Sequence, residues 1–156
     1  MTSFYDAIQP GFEREIGEHT FGREEIIAFA QKFDPQPFHL DENAAKNSLF
    51  GALCASGWHI TAIWMRLNIR NGRKTFEDQL DFEGDATFGP SPGVRNLRWL
   101  HPVFPGDTIH YRSTTTGKRL SPNRPGWALL TSSETATNQD GTLVCSFDGA
   151  VTLKVG

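Results

Sequence analysis

The stretch that decides the fold is Ser56-Gly57-Trp58-His59-Ile60-Thr61-Ala62-Ile63-Trp64-Met65-Arg66-Leu67-Asn68-Ile69-Arg70-Asn71. On a helical wheel Ile60, Ile63, Trp64 and Leu67 form one apolar stripe, and Trp58, Ala62, Met65 and Ile69 form a second on roughly the opposite side. A helix that is apolar on two sides is normally covered on two sides, so the pattern predicts a central core helix. His59, Arg66 and Arg70 fall on its narrow polar edge, where His59 reads as structural or as facing a partner subunit.

The segments around this helix supply its cover. Residues 12 to 21 suit a first strand that is mostly solvent-facing. From Arg23 to Phe33 the apolar residues Ile26, Phe29, Ala30 and Phe33 recur at helical spacing, with Glu24 and Glu25 at the positive amino end. Pro35 disfavours helical geometry at Asp34 and should stop that helix there. Asp41 suits the N-cap of a short helix through Ala44 and Ala45, which Gly51 can end. Residues 72 to 93 read as a long loop, either a lid over a pocket or a decoration. Strand signals follow at 94–100, 108–116 and 127–137. The cleanest alternation closes the chain, with Leu143, Cys145, Phe147, Gly149, Val151, Leu153 and Val155 on one face. Helices early and turn-connected strands late predict an α+β fold in which a curved antiparallel sheet wraps the two-faced helix.

Composition narrows the function classes. The chain has 156 residues, 38% of them hydrophobic and 21% charged, which suits one globular domain over residues 1–156. A net charge of -3 and a pI near 5.9 give no basic footprint for nucleic acid. Two cysteines, Cys54 and Cys145, match neither a disulfide scaffold nor a metal knuckle, so a reducing compartment is expected. The first residues lack a secretory pattern, and no apolar run approaches the ~20 residues that span a bilayer. A soluble cytoplasmic protein is the expectation.

The chemistry-bearing stretch is Asp34-Pro35-Gln36-Pro37-Phe38-His39, followed by Phe50-Gly51-Ala52-Leu53-Cys54-Ala55-Ser56-Gly57. It sets a carboxylate and an imidazole on one proline-stiffened loop, beside the amino end of an apolar helix whose first amides point outward. An acid/base pair next to such amides suits chemistry beside a carbonyl. The end of the preceding helix and burial should both raise the Asp34 pKa. Each residue also has a bland reading. Asp34 fits an Asp-Pro turn, His39 a loop histidine bonded to a carbonyl, Gly57 tight helix packing and Ser56 an N-cap. His19, His101 and His110 are expected to face solvent.

At Asp34-x-x-x-x-His39, Phe50-Gly51-x-x-x-Ala55-Ser56-Gly57 and Arg98-Trp99-Leu100-x-Pro102-Val103-x-Pro105-Gly106-Asp107-Thr108, the chain resembles the MaoC-like hydratases and dehydratases of the hot-dog fold. The resemblance covers nearly the whole length. It implies hydration of a trans-2-enoyl thioester, usually linked to coenzyme A, to the (R)-3-hydroxyacyl form, or the reverse, within fatty acid metabolism. It implies a homodimer joined sheet edge to sheet edge, or a higher homo-oligomer, and no metal or redox cofactor; the charge and hydropathy of the chain already argue against a nucleic-acid or membrane partner. On the matching positions Asp34 and His39 would hold water and exchange protons, while Gly57, with Ser56 beside it, would meet the thioester oxygen. Phe38, Phe50, Trp58 and Met65 are candidates for the acyl pocket, and Arg98, Arg112 and Lys118 for coenzyme A phosphates. Two positions depart from the pattern. Gln36 stands where the family often has Asn, and Met65 where characterised hydratases carry a serine. An acyl-thioester hydrolase or a non-catalytic acyl-binding subunit on the same fold are the alternatives, though the histidine beside Asp34 argues for hydration.

Overall fold

The computed structural model describes residues 1–155. A short helix α1 (Phe4–Ala7) precedes strand β1 (Glu13–Thr20), helix α2 (Arg23–Phe33), the helical turns α3 (Pro37–Leu40) and α4 (Glu42–Lys46), and the long helix α5 (Gly57–Glu77). Strands β2 (Gly93–Trp99), β3 (Thr108–Leu120), β4 (Trp127–Thr137) and β5 (Leu143–Lys154) complete the chain. The five strands form one antiparallel sheet in the order β1-β3-β4-β5-β2. The chain is therefore α+β, with the sheet laid around α5 as the alternation and the helix pattern predict.

Two polar bonds lock α5 onto the sheet from inside. The Tyr111 hydroxyl donates to the Ile60 carbonyl at 2.8 Å, and the Trp64 indole N–H donates to Glu134 Oε2 at 3.0 Å. Around them the first apolar stripe packs with Phe147, Val103 and Ile109 in the main core. A bulge at Gly17 in β1 lets the helix approach there. Its φ of +141° is one that side chains disfavour, and Asn71 Nδ2 donates to the neighbouring Ile16 carbonyl at 2.8 Å.

The second stripe departs from expectation. Trp58 is 55% exposed, Met65 47% and Ile69 74%, and Ala62 is exposed as well. Within this chain α5 is covered on one side only. The sheet curls around the first stripe and has no layer left for the second. This open face lies on the same molecule as the edge strand β2, in which every residue but Leu97 is exposed.

Residues 72–93 also differ from the loop reading. Residues 72–77 continue α5, because the roughly 1 kcal/mol that a mid-helix glycine costs at Gly72 is offset when Phe76 buries itself. The following segment packs Leu80, Phe82 and Ala86 against Phe4, Ile8, Phe76, Leu130 and Leu153, forming a second core. It borders a separate cavity of about 350 Å³ containing Arg14 and Glu134, rather than covering Asp34.

Candidate active site

The local structure that sets Asp34 follows from its neighbours. Its N–H closes the last turn of α2 on the Ala30 carbonyl at 2.9 Å, and Pro35 prevents another turn. Pro37 then opens α3 at a position where no amide hydrogen is needed, and that turn swings His39 back toward Asp34. His39 Nε2 lies 3.3 Å from Asp34 Oδ2, with both side chains largely buried. The other ring nitrogen, Nδ1, lies 2.6 Å from the Cys54 carbonyl oxygen. A carbonyl only accepts, so Nδ1 carries the hydrogen and Nε2 is the nitrogen turned to the carboxylate.

The Asp34 carboxylate does not behave as the helix end and burial alone predict. Burial pushes its pKa up, yet Ser56 and Gln36 as close polar neighbours, and His39 in its charged form, outweigh burial, so the group sits below its ordinary value. Gln36 Nε2 donates to Asp34 Oδ1 at 2.6 Å, so the longer amide at this position still tethers the loop. Ser56 occupies the cap position of α5 but makes no capping bond. Its hydroxyl is fully buried and closes no hydrogen bond at normal geometry, although it stands near enough to Asp34 to favour the charged carboxylate. The N-cap expectation for Ser56 thus holds for its position, while its side chain leaves the helix amides uncapped.

Asp34 and His39 open onto a cavity of about 460 Å³, whose wall includes Phe38, Phe50, Gly57, Trp58 and Trp99. Gly57 begins α5, and its amide N–H makes no hydrogen bond within the chain, as befits a first-turn donor. The cavity therefore brings together a carboxylate, an imidazole and a free amide at a helix start. It also gathers three of the expected pocket residues around them: Phe38, Phe50 and Trp58.

Several expected residues fall elsewhere. Met65 lies on the exposed stripe of α5 and lines no part of this cavity, because it faces away from the sheet two turns beyond the helix start. Arg112 pairs with Glu15 at 3.1 Å, and Lys118 reaches the Tyr5 carbonyl, so both are engaged away from the cavity. Arg98 lines a shallow depression with Ser146 and Asp148, also apart from it. His19 does not stand free in solvent. Its Nε2 lies 2.9 Å from Glu25, and Arg66 approaches its Nδ1 at 3.4 Å.

Sequence reasoning overlooked Phe33, Cys54, Trp99, Leu100 and His101 as cavity residues. The signal for three of them was the run Trp99-Leu100-His101, apolar and aromatic at the exit of a strand, just before a proline. Cys54 contributes its carbonyl at 2.6 Å from His39 Nδ1, and its sulfur lies 3.7 Å from the same nitrogen. Burial first, then the nearby Asp34, pushes that thiol up to about 11. No cluster among the described residues has the composition to hold a metal ion, and no described helix is long and apolar enough to cross a membrane.

Comparison with known proteins places this geometry. Residues 6–134 match the family model described as MaoC like domain. A MaoC-like dehydratase from Rhodospirillum rubrum shares 34% identity, with a TM-score of 0.79, over 96% of this chain and 94% of that one. Protein YdeM of Bacillus subtilis, itself uncharacterised, is 28% identical over 85% of this chain and 84% of its own length. Protein MaoC of Klebsiella aerogenes is also 28% identical, but this chain spans only 36% of it. An (R)-hydratase from A. caviae superposes with a TM-score of 0.64 over 96% of this chain and 98% of that one, and at 23% identity the likeness is one of fold. The sheet wrapped on a long helix is thus the hot-dog fold, and the chain belongs to the MaoC-like domain family.

Proposed function

We propose that this chain adds water to a 2-enoyl thioester, with coenzyme A as the carrier, or removes it from the corresponding (R)-3-hydroxyacyl thioester. The observation that carries the reading is the 3.3 Å approach of His39 Nε2 to Asp34 Oδ2 at a cavity whose wall also holds the unpaired Gly57 amide. With its hydrogen on Nδ1, neutral His39 turns a lone pair inward, and Asp34 turns a carboxylate oxygen the same way. Two acceptors side by side hold one water by both of its hydrogens, leaving the water oxygen's lone pair free for carbon.

The chemistry then balances without an added group. The water oxygen bonds to C3 as the C2–C3 double bond opens, and charge moves to the thioester oxygen. The Gly57 N–H, at the positive end of α5, stabilises that developing oxyanion. The proton released by the water enters the Asp34–His39 pair, and the pair delivers one proton to C2. Neither a metal nor a redox cofactor takes part in this scheme.

In the same reading a second copy of the chain completes the protein as a homodimer. It is supported by the uncovered stripe of Trp58, Met65 and Ile69 and by the exposed edge strand β2, surfaces that water disfavours and that a symmetry mate can share.

The direct test is purified protein with crotonyl-CoA, following loss of the enoyl absorbance. Asp34→Asn or His39→Ala retaining the full rate would refute these roles. Adding a thiol reagent to the same reaction separates hydration from hydrolysis of the thioester, which alone releases free coenzyme A.

A further inference from the structure

Gly57 has a neighbour that its place at a helix start does not require. A Cβ built on it would stand 2.2 Å from Cδ2, 2.4 Å from Cε2 and 2.6 Å from Cγ of Trp99. The indole therefore rests directly on the Gly57 backbone, and only glycine fits beneath it. The ring is also held in place. Its Nε1–H donates to Thr61 Oγ1 at 3.2 Å, and the Thr61 hydroxyl donates to the Gly57 carbonyl at 3.0 Å. The Trp58 ring meets it edge to face, with centroids 4.8 Å apart. Strand β2 and the first turn of α5 are thus joined through one side chain.

Trp99 is not core filler. It remains 42% exposed and lines the cavity shared by Asp34 and His39. An aromatic ring fixed by a hydrogen bond at a cavity wall suits control of shape more than it suits burial.

We propose that Trp99 is a positioning and specificity-determining residue: by resting on the Gly57 backbone and, through Thr61, bracing the Gly57 carbonyl, it fixes the residue whose N–H meets the thioester oxygen, and its ring limits the bulk of the acyl group beside that thioester. The inference rests on the hydratase reading and deepens it, selecting thioesters with a slim, short 2-enoyl group. First turns of helices fray because their amides lack intrahelical partners. An oxyanion donor acts best when it need not reorganise during the reaction. The Trp99 indole, carried by β2, supplies that fixity from outside the helix.

The experiment measures kcat and KM for crotonyl-CoA and trans-2-octenoyl-CoA in the unaltered protein and in Trp99→Ala, Trp99→Phe and Thr61→Val. Thr61→Val leaves the wall and removes the relay, so kcat on crotonyl-CoA should fall about tenfold with KM little changed, the cost of loosening a positioned group. Trp99→Phe should lower kcat similarly and keep the preference for the short substrate. Trp99→Ala should shift the ratio of kcat/KM values toward octenoyl-CoA by about tenfold, the scale of discrimination that pocket shape provides. Should Trp99→Ala fail to fold, the two milder variants decide the positioning role. Trp99→Leu, which keeps an apolar side chain but lowers the wall, then decides the wall: its ratio of kcat/KM values should shift toward octenoyl-CoA in the same direction. An unchanged substrate ratio together with an unchanged kcat in Thr61→Val would overturn the proposal while leaving the hydratase reading intact. Absence of turnover by the unaltered protein on either substrate would defeat both.

Discussion

Among the described residues two buried imidazoles each face a carboxylate, and they have opposite fates. His39 and Asp34 approach to 3.3 Å, His59 and Glu25 to 3.6 Å, and both imidazoles are nearly inaccessible. They differ in what the second ring nitrogen meets and in what the pair faces. His39 Nδ1 is anchored on a backbone carbonyl, and the pair opens onto a cavity. His59 Nδ1 has no partner, its ring lies stacked on Phe29 at 4.5 Å, and Glu25 is already occupied by His19 and by the Gly22 amide. Burial pulls the His59 pKa down to about 4, with Glu25 opposing and His19 and Arg66 assisting. The lesson is that residue type and spacing do not make a proton-transfer pair. Orientation by a third group and access to a reacting molecule do.

The largest effect should separate the two pairs by rate. Asp34→Asn or His39→Ala should lower kcat on an enoyl thioester by about 10² to 10⁴, the usual worth of positioned proton transfer. His59→Gln should leave kcat within about threefold while lowering the melting temperature, as loss of a packed core ring does. Equal losses of rate at the two sites, in the enoyl absorbance assay, would break the distinction.

Next comes stability against pH. The unfolded chain protonates His59 near its ordinary value of 6.5, while the folded chain resists until about 4. The unfolded state therefore binds more protons in that window, and stability falls as pH drops from 6.5 toward 4, with no further loss from this group below that. The total is roughly 3 kcal/mol, from the separation of the two values. Urea unfolding from pH 7 to pH 4 should show this slope, and His59→Phe should flatten it.

A smaller shift sharpens the other pair. Because Asp34 is held below its ordinary value, the limb of the kcat/KM profile that reports its protonation should lie beneath the usual carboxylate range. Gln36→Ala removes the 2.6 Å bond to Oδ1 and should move that limb upward. An unmoved limb would show that the amide does not tune the carboxylate. The least effect belongs to a pair in water. Arg23→Ala breaks its 2.6 Å contact with Glu42, yet both side chains are about half exposed, so unfolding free energy should change by no more than about 0.5 kcal/mol.

The sequence made α2, β4 and the end of α2 at Asp34 readable because periodicity and proline act locally. The Asp41 cap was legible for the same reason, and its side chain does accept the Ala44 N–H. The pairing of Asp34 with His39 and Gln36 was also within reach, since all three share one short loop. Three features were not. The continuation of α5 through Gly72 depends on Phe76 finding Phe4 and Phe12, far away in the chain. The second stripe of α5 was misjudged because a wheel records which positions are apolar, not what covers them. The lowered pKa of Asp34 required knowing that Ser56, from another element, would come close to the carboxylate while leaving its own helix uncapped. Trp99 escaped notice because its neighbour Gly57 lies on the opposite side of the intervening loop in sequence, and only the folded register of β2 brings them together.

Trp58 belongs both to the bare stripe of α5 and to the cavity wall, edge to face with Trp99. Whatever molecule sits on that stripe consequently also shapes the chamber where water would add. On the homodimer reading proposed above, turnover per chain should then decline on serial dilution, sooner than any unfolding signal, because the indole loses its backing.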